Sequence, residues 1–363
     1  MNRTKYAIIG CGSVSGNRYF NNLGAIPKGR LTAVCDEVEV RAKHRAEEFG
    51  IPYYKKLDDL LMKGDFDLLV TLTNIQSHFP INLKALKNGK HVYTQKPMTV
   101  TTEEATTLIN EAAKRNLKLV AEAADPITPV NRTIRKLLDS GAIGKVAWIR
   151  ATCTVVSSAI NDNWPTEPSW KYKKGAGPRD PGIERLHALT ALLGPAQRVT
   201  AMSGLNQPEI VVRGGPYKGK HIKVEEDDIT LLTLDFGDSI FAFLDMVYAN
   251  QRAIRRPVME IYGHTGAICH LSGGGPKDND FVLELYRDEP ERGIRGWMKV
   301  DPIPPLQPDP SPAVAGLVHA IDCIIEDKKP ILSGEHARHC IEIVEKAIVA
   351  ARTGMTQKLE TTF

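Results

Sequence analysis

Short apolar runs alternate with amphipathic stretches over the first third of the chain. Residues 6–9, 31–35, 67–72, 91–93 and 117–121 read as strands. Between them, helix-like periodicity runs from the first glycine turn to about residue 23, over 38–49, and over about 75–88 with Gly89 as the stop signal. Thr101-Thr102-Glu103-Glu104 carries the capping chemistry that opens a further helix. Strands alternating with helices of this size predict a parallel, doubly wound sheet.

The pattern changes near residue 125. A helix is expected over 129–140, followed by glycines and a strand near Lys145. An irregular stretch rich in Trp, Pro, Lys and Gly follows over 161–181, and then a helix over 182–193. Strands over 229–236, 239–248, 258–262, 267–271 and 281–286 come in succession, which predicts an antiparallel or mixed sheet. The proline-dense segment 301–312 reads as extended surface chain. Helices over 313–327 and 335–353 close the sequence. The expected fold class is α/β. A Rossmann domain (1–124) precedes an α+β domain (125–363) with a large, mostly antiparallel open sheet. The C-terminal helices could pack back on the first domain.

Composition narrows the function classes. The chain has 363 residues, enough for two domains, and 42% of them are hydrophobic and 25% charged, which argues against disorder. A net charge of +4 with no basic run gives no reason to expect nucleic acid. The six cysteines form no CxxC pair and sit in apolar runs, so reduced thiols are expected. No apolar run approaches a membrane span, and the first residues lack a signal-peptide core. These readings predict a cytoplasmic protein. No HExxH or nucleophile elbow occurs, and no metal is expected. His336 and His339 are helix-spaced and read as surface or core residues.

The first glycine turn is Gly10-Cys11-Gly12-Ser13-Val14-Ser15-Gly16. Glycines placed between a strand and a helix let the backbone approach a pyrophosphate at the helix N-terminus. The third small position falls on Ser15, so the fingerprint is imperfect. Asp36 ends the second strand and is placed to accept hydrogen bonds from an adenine ribose, though it could equally cap the helix after it. Asp36 followed by Glu37 favours NAD, whereas Arg41 could reach a 2′-phosphate and leaves NADP open.

The most specific segment is Asn88-Gly-Lys-His-Val-Tyr-Thr-Gln95-Lys96-Pro97-Met98. With the Gly10 turn, Asp36, Thr73-Asn74 and His78, Trp170-Lys171, Asp180-Pro-Gly182 and the stretch from Glu335 to Arg338, it resembles the glucose–fructose oxidoreductase/inositol dehydrogenase/MocA family. The resemblance covers nearly the whole chain. It implies an NAD- or NADP-dependent oxidoreductase acting on sugars or polyols, often dimeric through its C-terminal sheet. It places Gly10, Gly12, Ser13, Val14, Asp36, Arg41, Thr73, Asn74, His78 and Gln95 against the cofactor. It places Lys96, Trp170, Lys171, Arg179 and Asp180 against the substrate.

Chemically, a lysine at the C-terminal end of such a strand can hydrogen-bond the reacting oxygen and exchange a proton with it. Two departures stand out. Where the family has a glutamate before the lysine, this chain has Gln95. The expectation is that Lys96 deprotonates more easily, or that Asp180 replaces the missing charge. Where the family reads roughly D-x-G-x-H-x-x-D, this chain has Asp180, Gly182, Glu184 and His187. Glu184 and His187 could share proton transfer with Lys96 and Asp180, or could simply pair with Arg179, Arg185 or solvent. The family's arginine is also absent near Ala124-Asp125-Pro126. Lys171, Arg179 and Arg185 could hold a carboxylate or a phosphate, as on an acidic sugar, or be solvated loop residues. Two other functions are compatible with these changes: a glycosidase that oxidises its sugar transiently, and an NAD-binding sensor without turnover.

Overall fold

The computed structural model describes residues 3–160, 166–177, 179–249, 257–271, 283–306 and 313–363. Parts of the expected 161–181 stretch, the start of the strand expected over 281–286 and the end of the proline-dense segment therefore lie outside the described residues. The chain divides into two compact units: 1–124 with 307–341 and 362–363, and 125–306 with 342–361.

In the first unit, β1 (Thr4–Ile9), β2 (Gly29–Cys35), α1 (Glu39–Phe49), β3 (Tyr53–Tyr54), α2 (Leu57–Lys63), β4 (Leu68–Thr71), α3 (Ile75–Lys87), β5 (His91–Thr94), α4 (Thr102–Lys114) and β6 (Leu119–Ala121) alternate; all but the short β3 and α2 are expected from the sequence. The strands lie parallel in the order β3-β2-β1-β4-β5-β6. The order reverses between β1 and β4, and ligands of such sheets bind at the carboxyl ends beside that switch. β4 is buried at every position, which is why its sequence reads as a continuous apolar run rather than an alternating one. Thr101 caps α4 in a complete capping box with Glu104.

The helix expected to run to residue 23 is irregular. Residues Ser15–Tyr19 form a π-helical turn and Phe20–Ala25 a 3₁₀ turn kinked at Asn22. Sequence periodicity cannot distinguish these from an α-helix over so few residues.

The second unit contains α5 (Pro129–Asp139), β7 (Val146–Val156), α6 (Arg179–Leu193), β8 (Arg198–Gly204), β9 (Glu209–Val211), β10 (His221–Lys223), β11 (Ile229–Asp235), β12 (Phe241–Ala249), β13 (Pro257–Gly263), β14 (Gly266–Leu271), β15 (Leu283–Glu289) and β16 (Ile294–Lys299). The C-terminal helices are α7 (Ala315–Ile325), which belongs to the first unit, and α8 (Gly334–Thr353); β17 (Gln357–Lys358) follows. Nine strands form one sheet in the order β16-β15-β14-β13-β7-β12-β11-β8-β17. Among the described residues, only β7 and β12 of this sheet pair in parallel. Burial alternates along β11, so one sheet face is covered and the other is open. The open face carries Trp148, Met202, Leu231, Phe241 and Trp297, all exposed. β8, β9, β10, β16 and β17 have no distinct sequence signal because they are short or polar.

No helix of the described residues is long and apolar enough to cross a membrane. All six cysteines are buried and form no disulfide among the described residues.

Candidate active site

The glycine turn leaves β1 at Gly10, whose φ is +95°. A Cβ there would lie 2.6 Å from the Leu72 carbonyl, so only glycine lets the chain cross the end of β4 this closely. Gly12 has nothing within 4 Å on its Cβ side. That open side is the space a pyrophosphate needs. Asp36 holds the turn from below: its Oδ2 accepts the Cys11 N–H at 2.7 Å and its Oδ1 the Val38 N–H at 2.8 Å. The bond to Val38 braces the chain just ahead of α1, whose N-cap has no side-chain cap bond, and each carboxylate oxygen keeps a lone pair for a further donor. Ser13 is half-buried and Val14 exposed.

At the switch point the Thr73 hydroxyl is buried with no hydrogen-bond partner among the described residues. An orphaned polar atom beside an open glycine turn fits a polar ligand at this strand edge. Asn74 precedes α3, exposed, with no cap bond from its side chain. His78 is tied to backbone carbonyls of the strand edge. Its ring is buried, with Nδ1 2.7 Å from the Pro97 carbonyl and Nε2 3.1 Å from the Thr73 carbonyl. It ties the β4 turn to the segment after β5, which suits a positioning residue better than a ligand contact.

Arg41 is exposed on α1. The guanidinium packed on the segment after the glycine turn is instead that of Arg45, 4.8 Å over the Phe20 ring and bonded to Glu48 at 2.6 Å. Helix spacing could have flagged Arg45, one turn after Arg41.

Lys96 is half-buried just beyond β5, and its peptide bond to Pro97 is cis. Gln95 is buried and donates from Nε2 to the Tyr19 hydroxyl at 2.7 Å. Tyr19 meets the Tyr93 hydroxyl at 3.0 Å, and Tyr93 donates to Glu122 in a short hydrogen bond. Burial, then the Glu122 charge, hold both tyrosines un-ionised.

In the second unit, α6 starts at Arg179, three residues earlier than expected, with Pro181 and Gly182 in its first turns. Proline is tolerated there because the first N–H groups have no intrahelical acceptor. A Cβ on Gly182 would collide with the Met246 sulfur, so glycine lets α6 seat directly on β12. Asp180 is buried, and its Oδ2 accepts from Lys171 Nζ at 2.8 Å. Lys171 Nζ also lies 4.9 Å from the Trp170 ring centre.

Arg179 pairs with Glu226 at 2.8 Å, and Arg185 with Asp125 at 3.1 Å. The three cations are thus each paired with a carboxylate and mostly buried rather than solvated on a loop. Glu184 is half-buried and His187 fully buried on the same helix. His336 and His339 are core residues, the former stacked on Phe363 at 4.1 Å.

Two further groups escaped the sequence reading. Tyr248 lies two residues after Met246 on β12, hence on the same covered face. Its hydroxyl is pushed far up by burial, then by the Asp180 charge, with Glu184 adding to it. His270, on β14, is pushed down to about 4 by burial and by Arg185. Strand alternation would have placed both on the covered face, but not beside α6.

Residues 4–123 match a family model described as an oxidoreductase family with an NAD-binding Rossmann fold, and residues 131–269 match the GFO/IDH/MocA C-terminal domain. A dTDP-3,4-didehydro-2,6-dideoxy-alpha-D-glucose 3-reductase of Streptomyces violaceoruber is 28% identical over 54% of this chain, and the match spans only 56% of that reductase. A D-apiose dehydrogenase of Paraburkholderia graminis is 23% identical over 99% of this chain and 90% of its own. An Agrobacterium radiobacter oxidoreductase, solved in complex with NAD+, L-tartaric acid and magnesium, shares the fold with a TM-score of 0.80. It is 22% identical and covers 98% of each chain.

Proposed function

The chain belongs to the glucose–fructose oxidoreductase/inositol dehydrogenase/MocA oxidoreductase family, with an NAD-binding Rossmann domain, and from that premise we propose that it moves a hydride between NAD and a secondary alcohol or ketone carbon of a sugar or polyol. The observation that carries this is the strand edge where the open Gly12 turn, Asp36, the orphaned Thr73 hydroxyl and Lys96 all lie at carboxyl ends of one parallel sheet. NAD, when bound, supplies the hydride acceptor or donor.

The chain's own residues bind, orient and move protons. Gly10, Gly12, Ser13 and Val14 carry the backbone past the pyrophosphate. Asp36 takes the ribose hydroxyls and, as an anion, disfavours a 2′-phosphate, so NAD is the preferred cofactor over NADP. Lys96 hydrogen-bonds the reacting oxygen and stabilises the charge that develops on it. On α6, Asp180 positions Lys171, and Glu184 with His187 passes the proton. Trp170 offers an apolar ring to a sugar face.

Because Lys171, Arg179 and Arg185 are each neutralised by a carboxylate, the reading favours an uncharged sugar or polyol over a sugar acid. The full-length likeness to a sugar dehydrogenase supports that class. The open sheet face supports a homodimer.

The test is a panel of sugars, sugar acids and inositols with NAD and with NADP, following nicotinamide absorbance and product, on wild type and Lys96→Ala. Turnover of a neutral sugar with NAD, lost by more than a hundredfold in the variant, is expected. Full activity without the amine would overturn the assignment. Product formed without net nicotinamide reduction would indicate transient oxidation instead.

A further inference from the structure

Gln95 stands next to Lys96, and its amide is the end of a buried chain of hydrogen bonds within the first unit. The chain runs Gln95 Nε2, Tyr19 Oη, Tyr93 Oη, Glu122 Oε1. Tyr93 and Gln95 are two positions apart on β5 and its extension, so they share a face. Glu122 follows β6, which pairs with β5, and its N–H donates to the Thr94 carbonyl at 3.0 Å. Its second oxygen, Oε2, accepts the Ala124 N–H at 2.8 Å. Tyr19 reaches the chain from the π-turn after the glycine loop. α7 closes it from outside: a Cβ at Gly316 would run into Glu122 Oε1 and lie 2.8 Å from Tyr93 Oη.

The hydrogens in this chain can be counted. A carboxylate only accepts, so the Tyr93 hydrogen is committed to Glu122. Tyr93 Oη must then receive the Tyr19 hydrogen, and Tyr19 Oη can only accept. What faces it must be a donor, which is the NH₂ of Gln95. The carbonyl Oε1 of Gln95 is thereby turned away from Tyr19.

We propose that Glu122 is a positioning residue whose charge, relayed through Tyr93 and Tyr19, fixes the Gln95 amide beside Lys96 so that it presents an acceptor to a donor group on the nicotinamide end of NAD. The relay tolerates one carboxylate. Because that charge sits at 122, position 95 is an amide. With carboxylates at both ends, each tyrosine hydrogen would point outward and the 3.0 Å oxygen–oxygen contact between the tyrosines would hold none. The cofactor half of this proposal rests on the NAD reading above; the relay half does not.

The experiment is a charge-swap cycle on the full chain. Melting is measured without nucleotide for wild type, Gln95→Glu, Glu122→Gln and the double variant, and NAD affinity is measured by calorimetry. Gln95→Glu should lower the melting temperature by roughly 5 °C, the cost of a buried contact left without its hydrogen. Adding Glu122→Gln should recover at least half of that loss, because one carboxylate again sits at one end and every hydrogen is used in the reverse direction.

If Gln95→Glu yields no soluble protein, a soluble double variant is the same rescue. Additive losses, an insoluble double variant, or a Gln95→Glu protein as stable as wild type overturn the relay. For the cofactor half, Glu122→Gln and Tyr19→Phe should each weaken NAD binding about three- to tenfold, since the amide can then flip, and their combination should weaken it no further. Unchanged affinity in both single variants overturns the positioning role. A wild type that binds no NAD overturns the functional reading instead and leaves the melting cycle to stand alone.

Discussion

The Asp36 carboxylate lies 2.7 Å from the backbone nitrogen of Cys11, so the acid that ends one strand also braces the glycine turn leaving its neighbour. One side chain thus holds the shape of the turn and, in the function proposed above, also takes the ribose hydroxyls. Asp36→Ala should lose both: about 2 kcal/mol of stability from two charge-assisted bonds, and tenfold or more in NAD affinity. Denaturant melts and calorimetry on the same preparation check this. A variant that weakens NAD without any loss of stability would refute the bracing role.

Gly182 has no room for a methyl group because its Cβ would collide with the Met246 sulfur. Gly182→Ala should cost about 1–3 kcal/mol by forcing α6 off β12. Pairing it with Met246→Ala should return part of that cost, since the collision is relieved. If the two losses simply add, the close approach is not what demands glycine here.

His270 makes stability depend on acid. Burial and Arg185 depress its pKa to about 4, below the ordinary 6.5 of an unfolded chain. Between those values the unfolded state binds a proton that the folded state refuses. Stability from this group is therefore complete above about pH 6.5 and declines as the pH falls towards 4, by at most about 3 kcal/mol. His270→Gln should flatten that slope in urea melts taken from pH 7 to 4. An unchanged slope, or an imidazole that titrates near 6.5 by NMR, would contradict the burial argument.

Trp148 and Phe241 are register partners on the open face of the nine-stranded sheet, 42% and 44% exposed. Two aromatic rings side by side on an uncovered face suit a second copy of the same face. The double variant Trp148→Arg, Phe241→Arg should sediment as a monomer at concentrations where wild type is a dimer, with its own fold retained. A monomeric wild type would remove the dimer proposal.

Much of the first unit was legible because its signals are local. Fully apolar runs bounded by glycine and capping residues define parallel strands and their helices, and the turn at Gly10 and the acid at Asp36 carry their spacing on the chain itself. The lysine–proline pair after β5 could be read in the same way, as could the family. What could not be read is which groups face one another. Lys171, Arg179 and Arg185 could be read as solvated, yet each has a carboxylate brought to it from 9 to 60 residues away in sequence. Gln95 looked like a lost charge, although the carboxylate is present at Glu122 and reaches it through two hydroxyls. The sequence alone carries the long strands and helices, the glycine turn and the lysine–proline pair, because periodicity and short motifs are written within a few residues. The pairing of charges and the direction of the buried hydrogen bonds were decided only by tertiary structure, because they depend on the register of adjacent strands and on the packing of helices over them.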